Sequence, residues 1–219
     1  MKKLFLIITV CAVCTLTASA QRARSSSTSF FSTEKADAPV TFGIRVGLNL
    51  ANMVDKDDKV SYKTDTRTSF NAGVMVDIPL LQSIYLQSGL YYTSKGFKDK
   101  GDDWKTTASA DFIELPILAS YRYDFGDAAQ LQFNFGPYFA YGIGGKWKEE
   151  NGNKEYSDDF FDDDTHKFDM GLQVGGGVTI SQHYYIGVAY EWGLTNLWKD
   201  SDDDSLKSKN LMINVGYTF

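Results

Sequence analysis

The side chains best suited to acid–base or nucleophilic chemistry are few in this chain. It has only two histidines, His166 and His183. A Ser–His–acid set can be drawn around His166 with Ser157 and Asp164, but any acidic loop would offer such a set without the fixed geometry that catalysis needs. The sequence therefore predicts a protein that is not an enzyme, and it gives no sign of a cofactor.

Carboxylates are the second group of residues that could do chemistry. Two acidic runs are prominent, "DDFFDDDTH" at residues 158–166 and "DSDDD" at residues 200–204. Oxygen-rich clusters can bind divalent cations, but no glycine hinge or ordered ligand spacing of a calcium loop is present. Two interpretations stay open, a solvated acidic loop and a loop that binds divalent cations weakly. The candidate ligands of the weak site are Asp158, Asp159, Asp162, Asp163 and Asp164.

The elements that must position these residues are segments in which large apolar residues alternate with small or polar ones. Each is about 10 residues long or slightly longer, as a tilted strand needs to cross a bilayer. The eight segments are "TFGIRVGLNLA", "SFNAGVMVDIP", "IYLQSGLYYTS", "DFIELPILASYRY", "LQFNFGPYFAYGIG", "FDMGLQVGGGVTI", "YYIGVAYEWGLTNL" and "LMINVGYTF". This period of two predicts an all-β fold.

The connections between these segments alternate between long and short. Residues 95–110 and 145–167 are read as long loops, and "LLQS" and "SQH" as short turns. This rhythm is typical of outer-membrane barrels, whose short turns face the periplasm. We therefore expect an eight-stranded antiparallel up-and-down transmembrane β-barrel, with both mature termini periplasmic. His166 and His183 would then lie at opposite ends of the barrel.

The alternative is a soluble eight-stranded barrel with its apolar face inside. Such a barrel needs a charged outer face, whereas the second face here is mostly glycine, alanine, serine, asparagine and glutamine. Arg45 and Arg122 are the only basic residues within the strand cores, and nearly all lysines fall in the predicted loops. Small polar residues suit a narrow interior, so the apolar face is expected to contact lipid.

The N-terminus predicts export from the cytoplasm. Residues 1–20 have a charged start, an apolar core and an A-x-A cleavage site, which together indicate a signal peptide. Cys11 and Cys14 lie within it, so the mature chain would contain no cysteine. Residues 21–40 are expected to be a flexible serine-rich segment, and residues 41–219 the barrel. A formal net charge of −6 argues against nucleic-acid binding.

Several charged residues share the inward-facing parity of the predicted strands. Buried charges must be paired or hydrated, so we expect a network in which two arginines meet carboxylates and largely plug the lumen. The alternative is that some of these side chains lie at one end of the barrel and are hydrated there. The predicted network comprises Arg45, Asp77, Glu114, Arg122, Asn134, Gln173 and Glu191.

An ordered series of motifs resembles the PorT-like outer-membrane β-barrel family. They include "FGIRVGLNLANM", "LQSGLYYTSKGF", "FIELPILASYRY" and "FGPYFAYGIGGK". The resemblance covers Thr41 to Phe219 and implies a small barrel of the OmpA/OmpX type. It does not imply a role in secretion, which belongs to only some members. Phe219 resembles the C-terminal aromatic signature that barrel-assembly machinery reads.

These observations predict an integral protein of a Gram-negative cell outer membrane with a structural or surface-interaction role. Its expected partners are outer-membrane lipids, lipopolysaccharide and the barrel-assembly machinery, with extracellular ligands or other envelope proteins at its acidic loops. The alternative function is a narrow, porin-like pore or a component of a secretion or transport assembly.

Overall fold

The computed structural model describes residues 36–57, 60–63, 65–101, 104–126, 128–151, 154–162, 165–198 and 205–219. The predicted signal peptide and most of the serine-rich segment lie outside these ranges. The described residues form ten strands. This part of the chain contains no helix that is long and apolar enough to cross a membrane. The strands are β1 (Thr41–Asp57), β2 (Val60–Lys63), β3 (Asp65–Pro79), β4 (Ile84–Lys100), β5 (Trp104–Phe125), β6 (Ala129–Asn151), β7 (Lys154–Asp159), β8 (Phe168–Ile180), β9 (Tyr184–Gly193) and β10 (Ser205–Thr218).

Eight of these strands form a closed antiparallel ring in the order β1, β3, β4, β5, β6, β8, β9, β10. The ring closes because β10 pairs with β1, from Gly43 opposite Thr218 to Lys56 opposite Ser205. The two short strands β2 and β7 only extend the ends of β1 and β6 as hairpin arms. The predicted all-β, eight-stranded antiparallel barrel is therefore confirmed.

The apolar face of the sheet points outward along the whole ring. Leu48, Val74 and Phe135 are 56%, 51% and 57% exposed on the outer surface. Other outward residues are Val46, Leu90, Leu115, Ile117, Phe133, Val174, Ile186, Val188, Ile213 and Val215. Water-soluble proteins rarely expose continuous apolar surface of this extent, so this exterior is suited to acyl chains.

The two ends of the barrel differ in construction. At one end, the short-turn end, β3 joins β4 through residues 80–83, β5 joins β6, and β8 joins β9 through residues 181–183. Tyr184, Tyr217 and Phe219 cluster there, with ring centroids 5.5 Å apart in each neighbouring pair. At the other end, the long-loop end, Trp192 packs against Tyr190 at 4.5 Å. Aromatic rings at both rims are typical of barrels that contact membrane interfaces.

The strands at the long-loop end run further than the sequence predicted. Residues 95–100 and 104–110 are strand rather than loop, because β4 continues to Lys100 and β5 begins at Trp104. Residues 145–167 likewise include the end of β6 and all of β7. The backbone ladder continues beyond the apolar band, where charged and small residues hide the alternation. In contrast, β9 ends at Gly193, so residues 194–197, which the sequence predicted to belong to this strand, lie outside it.

A β-bulge in β6 changes which side chains face inward. Phe112 pairs with Gly142 and Asp111 pairs with Gly144, so Ile143 is the extra residue. Gly145 has φ of 149° and approaches the Ser109 carbonyl too closely for a Cβ atom. The bulge shifts the alternation by one residue. Trp147 therefore faces the barrel mouth, whereas its sequence neighbours Lys146 and Lys148 are exposed on the opposite side of the strand.

Candidate functional site: the charged interior and the mouth of the barrel

Polar and charged side chains occupy the interior of the ring. All seven residues of the predicted network are buried there. They do not form one continuous network, because the contacts divide into a layer near the short-turn end and a layer nearer the long-loop end.

The layer near the short-turn end is centred on a buried ion pair. Arg122 Nη2 lies 2.7 Å from Asp77 Oδ2. Gln87 Nε2 donates a hydrogen bond to Asp77 Oδ1 at 2.8 Å, and Arg45 Nη1 donates to Gln87 Oε1 at 3.1 Å. Gln87 thus links the second arginine to the carboxylate that the first arginine already contacts. We call these four side chains the arginine layer.

Aromatic rings complete the surroundings of both guanidinium groups. Arg45 Cζ lies 4.0 Å from the ring centroid of Tyr185, and Arg122 Cζ lies 4.2 Å from that of Tyr85. Desolvated cation–π contacts of this kind are worth about 2 kcal/mol. They help to hold two cations in a layer that contains one carboxylate.

The second layer is centred on Lys95, which extends from the inward face of β4. Its Nζ lies 2.9 Å from Glu114 Oε2, 2.9 Å from Glu191 Oε2 and 3.8 Å from Asp169 Oδ2. The Lys95 side chain is 1% exposed, and none of the three carboxylate side chains is more than 4% exposed. One buried cation therefore serves three carboxylates, and we call this set the lysine layer.

Neutral side chains supply further hydrogen bonds to the lysine layer. Ser208 Oγ donates to Asp169 Oδ2 at 2.9 Å, and Tyr138 Oη donates to the same oxygen at 3.2 Å. Asn210 Nδ2 donates to Glu191 Oε2 at 3.3 Å. Buried carboxylates are tolerated only when such partners replace lost water.

The predicted network omitted Gln87, Asp169 and Lys95, and Lys95 is the most consequential of the three. We expected Glu114 and Glu191 to meet arginines, but in the structure both contact Lys95. Assigning residue 95 to a loop caused the error. Lys95 has the same parity as the inward-facing Gln87 and Thr93, so extending the alternation past Ser94 would have placed it inside.

An amide network lies beside the charged layers. Asn71 Nδ2 donates to Asn49 Oδ1 at 2.6 Å, and Asn49 Nδ2 donates to Thr93 Oγ1 at 3.0 Å and to the Ser94 carbonyl at 3.0 Å. These bonds join β1, β3 and β4 across the interior. They satisfy polar groups that the narrow interior shields from bulk water.

Asn134 and Gln173 contribute less than the sequence predicted. Asn134 Oδ1 accepts a weak hydrogen bond from Gln132 Nε2 at 3.3 Å. Gln173 Oε1 is buried without a hydrogen-bond partner among the residues that the structure describes. Neither side chain has a hydrogen bond to either arginine among the contacts of the described residues.

Apolar side chains cover the interior at the long-loop end. Phe160 lies within the acidic run, yet it is only 2% exposed, and Leu197 from the segment after β9 is fully buried. Trp147, Phe161 and Trp198 pack against them from the rim. We call these five residues the mouth cap. They pack on a cluster formed by Met53, Phe97, Ala108, Ala110, Phe112, Tyr138, Ala140 and Leu206.

Backbone hydrogen bonds tie the mouth cap to the barrel and to itself. Phe160 N donates to the Gly145 carbonyl at 3.2 Å, and Leu197 N donates to the Leu206 carbonyl at 3.0 Å. His166 N donates to the Leu197 carbonyl at 2.8 Å. Two sequence-distant segments therefore form one ordered structure over the mouth.

The residues considered for catalysis are far apart. His183 lies in the β8–β9 turn at the short-turn end, whereas His166 is exposed at the long-loop end. Ser157 is exposed on β7, and Asp164 lies outside the described residues. No arrangement for nucleophilic catalysis is formed by the members of this set that are described.

The predicted cation-binding loop is described only in part. Asp158 and Asp159 are consecutive residues of β7 and therefore point to opposite faces. Asp163 and Asp164 lie outside the described residues. Within the described ranges, no group of three or more candidate ligands could hold a metal ion. The weak divalent-cation loop stays a prediction.

A closed antiparallel ring with a polar interior and an apolar exterior defines the class of integral outer-membrane β-barrel proteins. The family follows from the sequence itself. The model of the outer membrane protein beta-barrel domain family matches residues 20–199, and the chain belongs to this family.

Solved structures of small outer-membrane barrels resemble this fold. Ail, the attachment invasion locus protein of Yersinia pestis, is 16% identical, with 85% of this chain and 100% of that chain covered and a TM-score of 0.40. OprG of Pseudomonas aeruginosa is 14% identical, with 85% and 97% covered and a TM-score of 0.45. Neisserial surface protein A is 13% identical, with 83% and 99% covered and a TM-score of 0.45. No curated protein matches the chain.

Proposed function

We propose that this protein is a closed outer-membrane barrel that presents its long-loop end as an interaction surface, and that it does not conduct solutes or act as an enzyme. The observation that carries this proposal is the double obstruction of the interior by charged layers. Two cations and a carboxylate fill one level, and a lysine with three carboxylates fills the next. Eight strands leave an interior that side chains alone can fill.

The mouth cap supports the same proposal. A pore needs a continuous wet path, whereas Phe160 and Leu197 are buried in the apolar cluster that contains Tyr138. The ring centroid of Tyr138 lies 4.2 Å from Lys95 Nζ, so this cluster adjoins the lysine layer. The acidic side chains around the mouth cap remain on the outside, where they are available to partners. Within this proposal the protein is a PorT-like member of its family. Its signal peptide is removed, its termini are periplasmic, Phe219 serves as the assembly signal, and lipopolysaccharide surrounds its outer rim.

Reconstitution in planar bilayers tests whether the interior is closed. We expect the full chain to show no unitary conductance above baseline, because the paired side chains leave no hydrated path. A variant that combines serine at five charged positions with alanine at Phe160 and Leu197 should conduct, because both obstructions are then removed. The five charged positions are Arg122, Asp77, Lys95, Glu114 and Glu191. The matched control replaces the exposed pair Lys105 and Glu150 by serine and should stay silent.

Stable unitary openings of the unmodified protein would contradict the closed barrel and favour the narrow pore. Heat-modifiable migration on gels would verify that each variant has refolded. A refolded combined variant that remains silent would show that the charged layers and the mouth cap are not what closes the interior.

Cysteine labelling of intact cells tests the orientation. The two native cysteines lie in the first 20 residues, so a single new cysteine would be the only label site in the processed chain. We expect Glu150→Cys, at the long-loop end, to react with a membrane-impermeant maleimide. Ala128→Cys, in the exposed turn between β5 and β6, should react only after the outer membrane is permeabilised. The reverse pattern would place the long-loop end in the periplasm.

A further inference from the structure

A pocket of about 250 Å³ lies at the long-loop end, where Trp147, Phe160 and Trp198 of the mouth cap form part of its wall. Its walls combine aromatic rings with carboxylates, and none of the described residues that line it is a lysine or an arginine. The side chains that matter here are Trp147, Glu149, Tyr156, Asp158, Asp162 and Trp198. Neither the predicted metal loop nor the closed interior accounts for this combination.

The β6–β7 arm places its aromatic side chains on one face, together with two carboxylates. Trp147 is opposite Asp158 and Glu149 is opposite Tyr156, so these four side chains share the face that lines the pocket. The bulge at Ile143 gives them this parity. The other face carries a different set, in which Lys148 Nζ lies 3.4 Å from Glu155 Oε1. Lys146 and Lys148 thus lie on the face away from the pocket, and Lys154, at the far end of the pocket-facing side, does not line it.

The aromatic walls are themselves ordered by contacts. Trp147 and Trp198 have ring centroids 6.5 Å apart, and Trp147 stacks on the buried Phe160 at 6.4 Å. Trp147 Nε1 donates to Glu149 Oε1 at 2.9 Å, which fixes this carboxylate next to the indole ring. The pocket therefore offers π faces and negative charge on the same wall.

We propose that this pocket binds an organic ammonium group. An ammonium cation is attracted to indole faces, and nearby carboxylates add Coulombic attraction in a partly desolvated cleft. A bare metal ion would not use the aromatic walls, and an anion would be repelled. The volume suits one cationic headgroup or side chain rather than a folded domain. This inference specifies a ligand class for the proposed surface-interaction role. It rests on that proposed function only in one respect, namely that the pocket is accessible from outside the cell.

Titration of the full chain in detergent tests the binding. We expect choline to change tryptophan fluorescence with an affinity about tenfold higher than that of its neutral isostere 3,3-dimethylbutan-1-ol, because only choline carries the charge. High salt should weaken choline binding, since part of the attraction is Coulombic. Equal affinities for choline and the neutral isostere would overturn the proposal.

Matched variants of the same arm locate the site. Glu149→Gln with Asp158→Asn should weaken choline binding about tenfold, because it removes two of the carboxylates that line the pocket beside its aromatic rings. Glu150→Gln with Glu155→Gln removes two charges from the opposite face and should change the affinity less than about twofold. Equal effects of the two double variants would show general electrostatic attraction and would overturn the assigned site.

Two further measurements separate the ligand source and the underlying proposal. Nα-acetyl-lysine methylamide represents the lysine side chain of a protein partner, and choline represents a free small molecule. The probe that binds more tightly indicates which of the two supplies the ammonium group. Failure of both probes with correct cell-surface labelling of Glu150→Cys would refute the pocket alone. Binding in detergent together with labelling only after permeabilisation would instead refute the proposed orientation.

Discussion

Replacing Lys95 by methionine should lower the free energy of unfolding by about 3–5 kcal/mol, because removal of one partner leaves uncompensated buried charge. Lys95 is the cation that lies among Glu114, Glu191 and Asp169 in the lysine layer. Methionine keeps much of the side-chain volume, so loss of charge rather than loss of packing dominates. Urea unfolding of the protein in lipid vesicles measures the effect.

Two comparisons distinguish this electrostatic explanation from a general sensitivity of β4. Lys100→Met changes an exposed lysine of the same strand and should alter stability by less than about 0.5 kcal/mol. Adding Glu114→Gln and Glu191→Gln to Lys95→Met should restore much of the lost stability. If the triple variant is no more stable than the single variant, the charge-balance explanation is incorrect.

An arginine on the outer face of the barrel should destabilise the protein in a bilayer by about 2–4 kcal/mol when it lies near the midplane. Val188 is a suitable position, because it is 53% exposed in the middle of β9 and pairs with Ile213. Vesicle unfolding of Val188→Arg gives the magnitude. Glu150→Arg, beyond the apolar band, should change stability by less than about 0.5 kcal/mol.

The change in stability caused by Val188→Arg shows whether the outer face of the barrel contacts lipid or water. On the surface of a water-soluble barrel, arginine would be neutral or would improve solubility. A neutral result for Val188→Arg in vesicles, with the barrel fully inserted, would therefore remove the argument that this face contacts lipid.

Much of the fold follows from the sequence because lipid imposes a strict rule on every spanning strand. Outward residues such as Leu48 and Phe135 must be apolar, and inward residues in a narrow interior must be small or polar. Alternation therefore identifies the eight strands and their faces. It identifies strand ends poorly, since beyond the apolar band the backbone ladder of β4 and β5 continues without any lipid to enforce a pattern.

The interior contacts were harder to predict for a geometric reason. Parity shows that Arg45 and Glu114 point inward, but which charges meet depends on how far each strand is staggered around the ring. The mouth cap was not predicted because Phe160 lies in an acidic run that shows no alternation of apolar and polar residues. The pocket was missed because a single extra residue at Ile143 reverses the parity of everything that follows it in β6.

The pairing of β1 with β10 has a consequence for biogenesis. These strands are the first and last of the ring, so their long ladder cannot form until every intervening strand is available. Until then, β1 and the last strand of the growing sheet each present an unpaired edge that would pair with any other exposed strand. Barrel closure should therefore come late and all at once, and a nascent chain stalled before β10 would need a chaperone to shield those edges.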